Sequence, residues 1–345
     1  MWDVTVVLLD DGPTSTAIVP VEVFSLAGVL WNELNGRKPD PVFCVRTVSL
    51  DGGPVRSPHG FAITPEGSID DVERTDIIVV PTSGLEFEAK LVENSRLLPW
   101  LRRHYEAGAL VAGVCLGAAY LAEAGLLDGR LGTTHWALGE ALGARYPQVR
   151  WRPDLFVTED SRAICCGGLY AAIDVSLYLV EKLCGHQVAV QCAKALLLPM
   201  PRLSQSGYAM LPVSKAHDDT RVREAEAFLQ TNLHVDVSTQ SLADRVGLGA
   251  RTFARRFKAA TGHLPAAYLQ ALRIQAAKAM LERDAAPIQT ISTAVGYEDV
   301  GFFRALFKRS TGMTPSEYRA LFAPLSVRGQ PALEGGERTA VAVVA

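Results

Sequence analysis

The chain has 345 residues, 48% of them hydrophobic and 21% charged, with a formal net charge of -3. That length buries a large core and favours about two domains of roughly 100 to 200 residues each. The opening MWDVTVVLLDDG has no basic n-region and no small-residue cleavage site, and it holds no uncharged stretch near the roughly 18 residues a membrane span needs. A cytoplasmic protein with no membrane contact is therefore expected. Six cysteines (Cys44, Cys115, Cys165, Cys166, Cys184 and Cys192) form no CxxC pair and no short Cys/His cluster. This argues against a disulfide framework or structural zinc, so no metal or cofactor is expected.

The net charge hides an asymmetry. Residues 1–215 carry 18 Lys/Arg against 24 Asp/Glu, while residues 237–323 carry 12 against 6. A basic C-terminal module on an acidic larger one suggests that only the C-terminal part meets a polyanion; an ordinary solvated surface is the alternative.

In chain order, the apolar, β-branched runs VTVVLL, FCVRTVSL, DIIVVP and ALVAGV are separated by helix-like segments such as IVPVEVFSLAGVLWNEL and EFEAKLVENSRLLPWLRRHYEAG. Continuous apolar strands alternating with amphipathic helices predict a parallel sheet covered on both faces. In ALVAGVCLGAAYLAEAGLL a strand ends and a helix begins within three residues. Gly113 and Gly117 flank Cys115 as G-x-C-x-G, a turn that projects the middle side chain from the carboxyl edge of the sheet. There the helix N-terminus favours a thiolate or an oxyanion. A buried structural cysteine is the other reading. Another strand, AICCGG, leads to the helices AAIDVSLYLVEKLCG and QVAVQCAKALLL. Adjacent Cys165 and Cys166 fit core packing better than a strained disulfide. His59 falls in a turn, and Trp136 either walls a pocket or packs.

The segment AGLLDGRLGTTHW resembles the ThiJ/PfpI branch of the glutamine-amidotransferase-like superfamily over residues 1 to about 195. The resemblance implies that Cys115 holds the nucleophile position and His135 is its partner. Many enzymes of the superfamily place a carboxylate just before the first helix. Matching VPVEVFSLAG onto that region puts Thr16 there, with Glu22 further along the helix. Thr16 cannot ionise, which compromises proton delivery. No clear third group orients His135; Asp154 and Asp174 are candidates by composition, with a surface role expected for both. The resemblance points instead to a ligand pocket formed by Thr16, Glu22, Cys115, Leu116 and His135.

Regular pattern fades in PMPRLSQSGYAMLPVSKAHDD, so residues 199–219 are expected to be a linker between domain 1–198 and a helical domain 220–323. Residues 324–345 are expected to be a flexible tail.

The helical half repeats itself. LADRVGLGARTFARRFKAATGHLPAAY (242–268) answers ISTAVGYEDVGFFRALFKRSTGMTPSEY (291–318). Val246/Val295 and Gly247/Gly296 match at a spacing of 49; Phe253/Phe303, Phe257/Phe307, Lys258/Lys308, Thr261/Thr311, Gly262/Gly312, Pro265/Pro315 and Tyr268/Tyr318 match at 50. Each copy reads as a short helix, a glycine turn and a second helix with two phenylalanines on one face, the pattern of a helix-turn-helix. In that motif the second helix lies in the DNA major groove with its N-terminal residues toward base edges. The first copy offers Ala250, Arg251, Thr252 and Arg255, the arginines being the best base contacts because Arg reads guanine bidentately. The second offers Val300, Gly301, Arg304 and Lys308, better suited to phosphates or thymine methyls than to hydrogen bonding with bases.

The stretch YLQALRIQAAKAMLERDAAPIQTISTAVGYEDVGFFRALFKRSTGMTPSEYR is similar to the DNA-binding domain of AraC/XylS-type transcription regulators. That resemblance implies two helix-turn-helix units joined by a long helix at about 265–283, with Arg273 inside it as a structural residue. The order of the two domains resembles the GlxA-type, amidase-like regulators. The expected fold is thus an α/β parallel-sheet sandwich of the glutamine-amidotransferase-like type, followed by an all-α double helix-turn-helix domain. The expected function is a transcriptional regulator, not an enzyme, that binds promoter DNA, takes a small-molecule effector, dimerises through its first domain and works with RNA polymerase. The rival readings are a cysteine-dependent hydrolase or hydratase of a small amide, nitrile-like or carbonyl compound, and a redox sensor using Cys115.

Overall fold

The computed structural model describes residues 1–209, 214, 216–283 and 285–324; the expected tail from 325 onward, and 210–213 and 215 of the expected linker, lie outside the described residues. The chain divides into two units, 1–209 and 210–345.

Unit 1 is built on seven strands: β1 (Trp2–Val7), β2 (Phe43–Ser49), β5 (Gly67–Ser68), β6 (Ile77–Val80), β7 (Leu110–Val114), β10 (Val157–Asp160) and β11 (Ala163–Cys166). Their order is β10-β11-β7-β6-β1-β2-β5, parallel except that β10 runs antiparallel to β11 at the edge. That antiparallel edge lies outside the purely parallel sheet the apolar runs predict. β10 is polar, VTED, and only its pairing with β11 makes it a strand. Two short pairs, β3 (Val55–Arg56) with β4 (Ala62–Ile63) and β8 (Leu131–Gly132) with β9 (Arg150–Trp151), stand apart from the main sheet.

The period-2 alternation of the strands splits the core. Val4, Val6, Ile77, Val79, Ala112, Val114, Ile164 and Cys166 face one cluster, and Val7, Ile78, Val80, Val111, Ala163 and Cys165 face the other. The first face is covered by α1 (Ser15–Leu26), α7 (Ala171–Cys184) and α8 (His186–Ala195). The second is covered by α3 (Phe87–Glu93), α4 (Leu97–Glu106) and α5 (Gly117–Glu123). Cys165 and Cys166 thus pack on opposite faces. Two expected long helices are each broken. The chain leaves α1 through Gly28 at φ 77° before α2 (Leu30–Leu34), and Asn94, whose amide donates to Lys90 O and Tyr120 Oη, separates α3 from α4. A short α6 (Gly139–Arg145) follows the loop that carries His135.

Unit 2 contains α9 (Thr220–Thr231), α10 (Thr239–Arg245), α11 (Ala250–Thr261), α12 (Pro265–Arg283), α13 (Ile288–Ala294), α14 (Val300–Thr311) and α15 (Pro315–Phe322). The repeat in sequence is a repeat in space. Phe257 meets Tyr268 edge-on at 5.2 Å, and Phe307 meets Tyr318 likewise at 5.5 Å. Thr261 and Thr311 each donate to the carbonyl four residues earlier, at 2.7 and 2.8 Å, and left-handed Gly262 and Gly312 end the helices. The matched Phe, Thr, Gly, Pro and Tyr positions are therefore the helix exit and its packing, used twice. Helix α12 serves both halves: Tyr268 and Leu269 join one core, and Ile274, Ala277 and Leu281 the other. Among the described residues, no helix is long and apolar enough to cross a membrane.

Candidate functional site

At the end of β7 the backbone turns sharply through Cys115, a non-glycine residue at φ 56°. The flanking glycines permit the turn. A Cβ at Gly117 would lie 2.1 Å from Val80 O, and one at Gly113 would lie 2.7 Å from Ala118 N. This strained strand-to-helix elbow places Cys115 at the carboxyl edge of the sheet, where G-x-C-x-G predicted it.

Burial and two backbone N–H groups set the state of the thiol. Cys115 is buried, and burial pushes its thiol up to about 11 against the opposing pull of the Leu116 and His135 backbone N–H groups. Among the described residues no hydrogen bond joins the thiol to the His135 ring. The His135 Nδ1 accepts from Ala137 N–H at 3.1 Å, which puts the neutral ring's proton on Nε2. Burial also holds His135 below its ordinary pKa. Thr134 Oγ1 ties the loop to the elbow by donating to Cys115 O at 3.0 Å. Thr16 is fully buried and donates to Pro13 O at 2.8 Å, Leu116 is buried, and Glu22 is exposed on α1.

Of the residues expected around one pocket, Thr16 and His135 line different spaces. Beside Thr16 lies a space of only about 20 Å³, room for one water. His135 faces a separate cleft of about 300 Å³, walled by Trp136, Phe156, Tyr170, Arg202 and Tyr208. Cys115, Leu116, Thr16 and Glu22 do not line it. Gly168 is its floor: a Cβ there would lie 2.8 Å from the imidazole.

Arg202, Gln205 and Tyr208 of this cleft come from a stretch that the composition reads as linker. Arg202 forms a two-pronged ion pair with Asp174, using Nη2 at 2.6 Å and Nε at 3.2 Å, and its guanidinium covers the Phe156 ring at 4.1 Å. Asp174 is 2% exposed, which corrects the surface role expected for it; Asp154 pairs at the surface with Arg152. Gln205 is buried and donates to Thr134 O and Leu155 O, both at 2.8 Å, while its backbone N–H donates to Asp154 O. Residues 199–209 thus complete unit 1. Gly, Ser and Pro made this stretch look like a connector; the signal available in the sequence was Arg202 and Gln205 within it.

In unit 2 the candidate DNA-contacting residues sit on the N-terminal halves of α11 and α14, except Lys308 in the last turn of α14. Arg251, Thr252, Arg255, Gly301, Arg304 and Lys308 are exposed, with Ala250 and Val300 half-buried, on the side away from buried Phe253, Phe257, Phe303 and Phe307. Among the described residues Arg251, Arg255 and Arg304 have no ion pair or hydrogen bond. Their neighbour Arg256 does, holding Asp219 at the start of α9 through two bonds of 2.8 Å. Arg273 is 7% exposed: its Nε donates to Leu233 O at 2.7 Å, and its guanidinium covers the Tyr297 ring at 5.0 Å. It ties the loop before α10 to the turn after α13, as a structural residue of the linking helix.

An α/β domain with an elbow cysteine, followed by two helix-turn-helix units on one connecting helix, defines a two-domain DNA-binding regulator. The chain belongs to the DJ-1/PfpI family, whose model matches residues 4–182, and residues 242–321 match a helix-turn-helix domain. The domain order is the one the resemblance to GlxA-type regulators implies. The chain is 28% identical to the HTH-type transcriptional regulator CdhR of Pseudomonas aeruginosa over 296 residues, 85% of this chain and 86% of that protein. It is 33% identical to the isonitrile hydratase of Pseudomonas putida over 148 residues, 42% of this chain and 61% of the enzyme. A crystal structure of a candidate transcriptional regulator from Vibrio parahaemolyticus shares the fold of the first unit: TM-score 0.50, 18% identity, covering 56% of this chain and 98% of that one.

Proposed function

We propose that this protein is an effector-gated transcription regulator of the cytoplasm, in which unit 2 binds promoter DNA and the His135–Arg202 cleft of unit 1 takes a small polar metabolite. The observation that carries the reading is the pair of helices α11 and α14. In their exposed N-terminal halves α11 presents Arg251 and Arg255 and α14 presents Arg304, none paired among the described residues, while the opposite face of each helix is sealed by two phenylalanines. An exposed arginine without an internal partner is free to reach guanine or phosphate, and Arg251 and Arg255 stand one helical turn apart. The first unit supplies a dimer interface, and RNA polymerase is the downstream partner. An effector changes DNA binding only by favouring one state of the protein over the other.

The test is binding of the full chain to fragments of the DNA around its own gene, set against random duplex, over a salt series. Affinity that differs between sequences and falls steeply with salt supports the reading. Equal affinity for promoter and random DNA at every salt concentration refutes it.

A second reading, a cysteine-dependent hydrolase or hydratase, is favoured by the similarity to isonitrile hydratase. Three features of this chain oppose it: a thiol pushed up to about 11, an imidazole that turns its Nδ1 to Ala137, and Thr16 where an acid is needed. Turnover of a small isonitrile, amide or aldehyde that Cys115→Ser abolishes is the result that establishes the second reading.

A further inference from the structure

The repeat spacing of 50 pairs Ala250, Arg251, Thr252 and Arg255 of α11 with Val300, Gly301, Phe302 and Ala305 of α14. In the structure these are the same places: Arg251, Thr252 and Arg255 are exposed, and so are Gly301, Phe302 and Ala305. Their chemistry is opposite. Helix α11 offers two guanidinium groups and a hydroxyl. At the matching positions α14 offers no side chain that hydrogen-bonds, and Arg304 and Lys308 lie between and beyond them.

Phe302 is the unexpected member. It is 53% exposed, a large apolar ring left in water on the face that the helix-turn-helix geometry turns to DNA. It is also held in place. The Asp299 carboxylate caps α14 by accepting from Gly301 and Phe302 N–H at 2.7 and 3.1 Å. The Phe302 ring lies 5.8 Å from Tyr297, which also meets the buried Phe303 ring and the buried Arg273 guanidinium. A positioned, exposed aromatic is built to bury its surface against a partner.

In the major groove one base presents an apolar group: thymine, through its C5 methyl. The other base edges present donors and acceptors there, and a phenylalanine pressed on them leaves those groups unpaired and dehydrated. We propose that α14 reads a thymine-bearing half-site through contact of Phe302 with C5 methyls, while α11 reads a guanine-bearing half-site through Arg251 and Arg255. Each monomer then faces a DNA site whose two halves are chemically unlike. The inference rests on the reading of unit 2 as the DNA-binding unit, and it makes Phe302 a specificity-determining residue.

The experiment uses the full chain and a duplex recovered with it from a random-sequence pool. Each thymine of that duplex is replaced in turn by 2′-deoxyuridine, which removes only the methyl, and each guanine by 7-deazaguanine, which removes only the N7 acceptor. The expected result is about four-fold weaker binding for each contacted methyl lost, all in one half of the site. Phe302→Ala should bind thymine and uracil duplexes alike, and Phe302→Leu, which keeps an apolar side chain, should retain part of the difference. Arg255→Ala should keep the methyl effect and lose the response to 7-deazaguanine at the guanine Arg255 contacts in the other half. The inference is overturned if uracil is neutral everywhere in a selected site, or if Phe302→Ala keeps the full methyl effect. It is equally overturned if Phe302→Ala binds DNA normally but fails in transcription, which assigns the ring to a protein partner. If the pool yields no preferred sequence, the DNA-binding reading itself falls.

Discussion

Arg202→Ala tests whether residues 202–208 belong to the first unit or only connect it to the second. The substitution removes both side-chain bonds to Asp174, at 2.6 and 3.2 Å, and leaves a carboxylate that is 2% exposed with the Arg202 backbone N–H as its remaining hydrogen-bond donor among the described residues. Breaking a buried pair by deleting one partner costs about 3–5 kcal/mol. The Arg202 side chain is 32% exposed, so water reaches the vacated place and the lower end applies, about 3 kcal/mol, including the lost cover of Phe156. For a unit of this size that is a fall in Tm of about 10 °C. The assay can be confined to unit 1, because all five tryptophans (Trp2, Trp31, Trp100, Trp136 and Trp151) lie within residues 1–209. Their fluorescence should report an earlier transition for Arg202→Ala, and adding Asp174→Asn should recover most of the loss by removing the unpaired charge. A shift of under about 0.5 kcal/mol, the size of an ordinary surface change, would refute the packing argument and restore the linker.

Gly168→Ala puts a Cβ 2.8 Å from the His135 ring and should narrow the cleft; calorimetry with a ligand of the wild-type protein should show at least ten-fold weaker binding while DNA affinity without ligand stays unchanged. With its thiol at about 11, Cys115 should be alkylated slowly at pH 7, and the rate should rise about ten-fold per pH unit up to pH 11; a plateau reached by pH 7, measured by mass spectrometry with iodoacetamide, would show a thiolate and revive the enzyme reading. Lys308→Ala should weaken binding about equally across DNA sequences and lower the slope of log affinity against log salt by about one, whereas Arg251→Ala should relax the preferred sequence at a cost of about 1–3 kcal/mol.

What was legible in the sequence was local. The apolar strands, the elbow at Gly113-Cys115-Gly117 and the twofold helix-turn-helix motif each depend on neighbours within a few dozen residues, so period and spacing reveal them. Helix α12 is found at Pro265–Arg283, the range the AraC/XylS resemblance implies; proline starts it, and the paired Phe–Tyr contacts recur at a constant spacing. The cleft was not legible, because long-range contacts build it. Asp174 meets Arg202 across 28 residues and Gln205 meets Thr134 across 71. A segment rich in turn-forming residues carries no periodic signal, yet Arg202 and Gln205 dock it on buried partners. The role of Cys115 was likewise undecided by its motif: G-x-C-x-G sets the backbone, but burial and the direction of the His135 ring decide whether the thiol ionises. Sequence alone determined the two domains and their order; only the tertiary structure separated the elbow from the cleft and left Phe302 facing outward, since burial and pairing depend on which residues distant in the chain arrive at the same place.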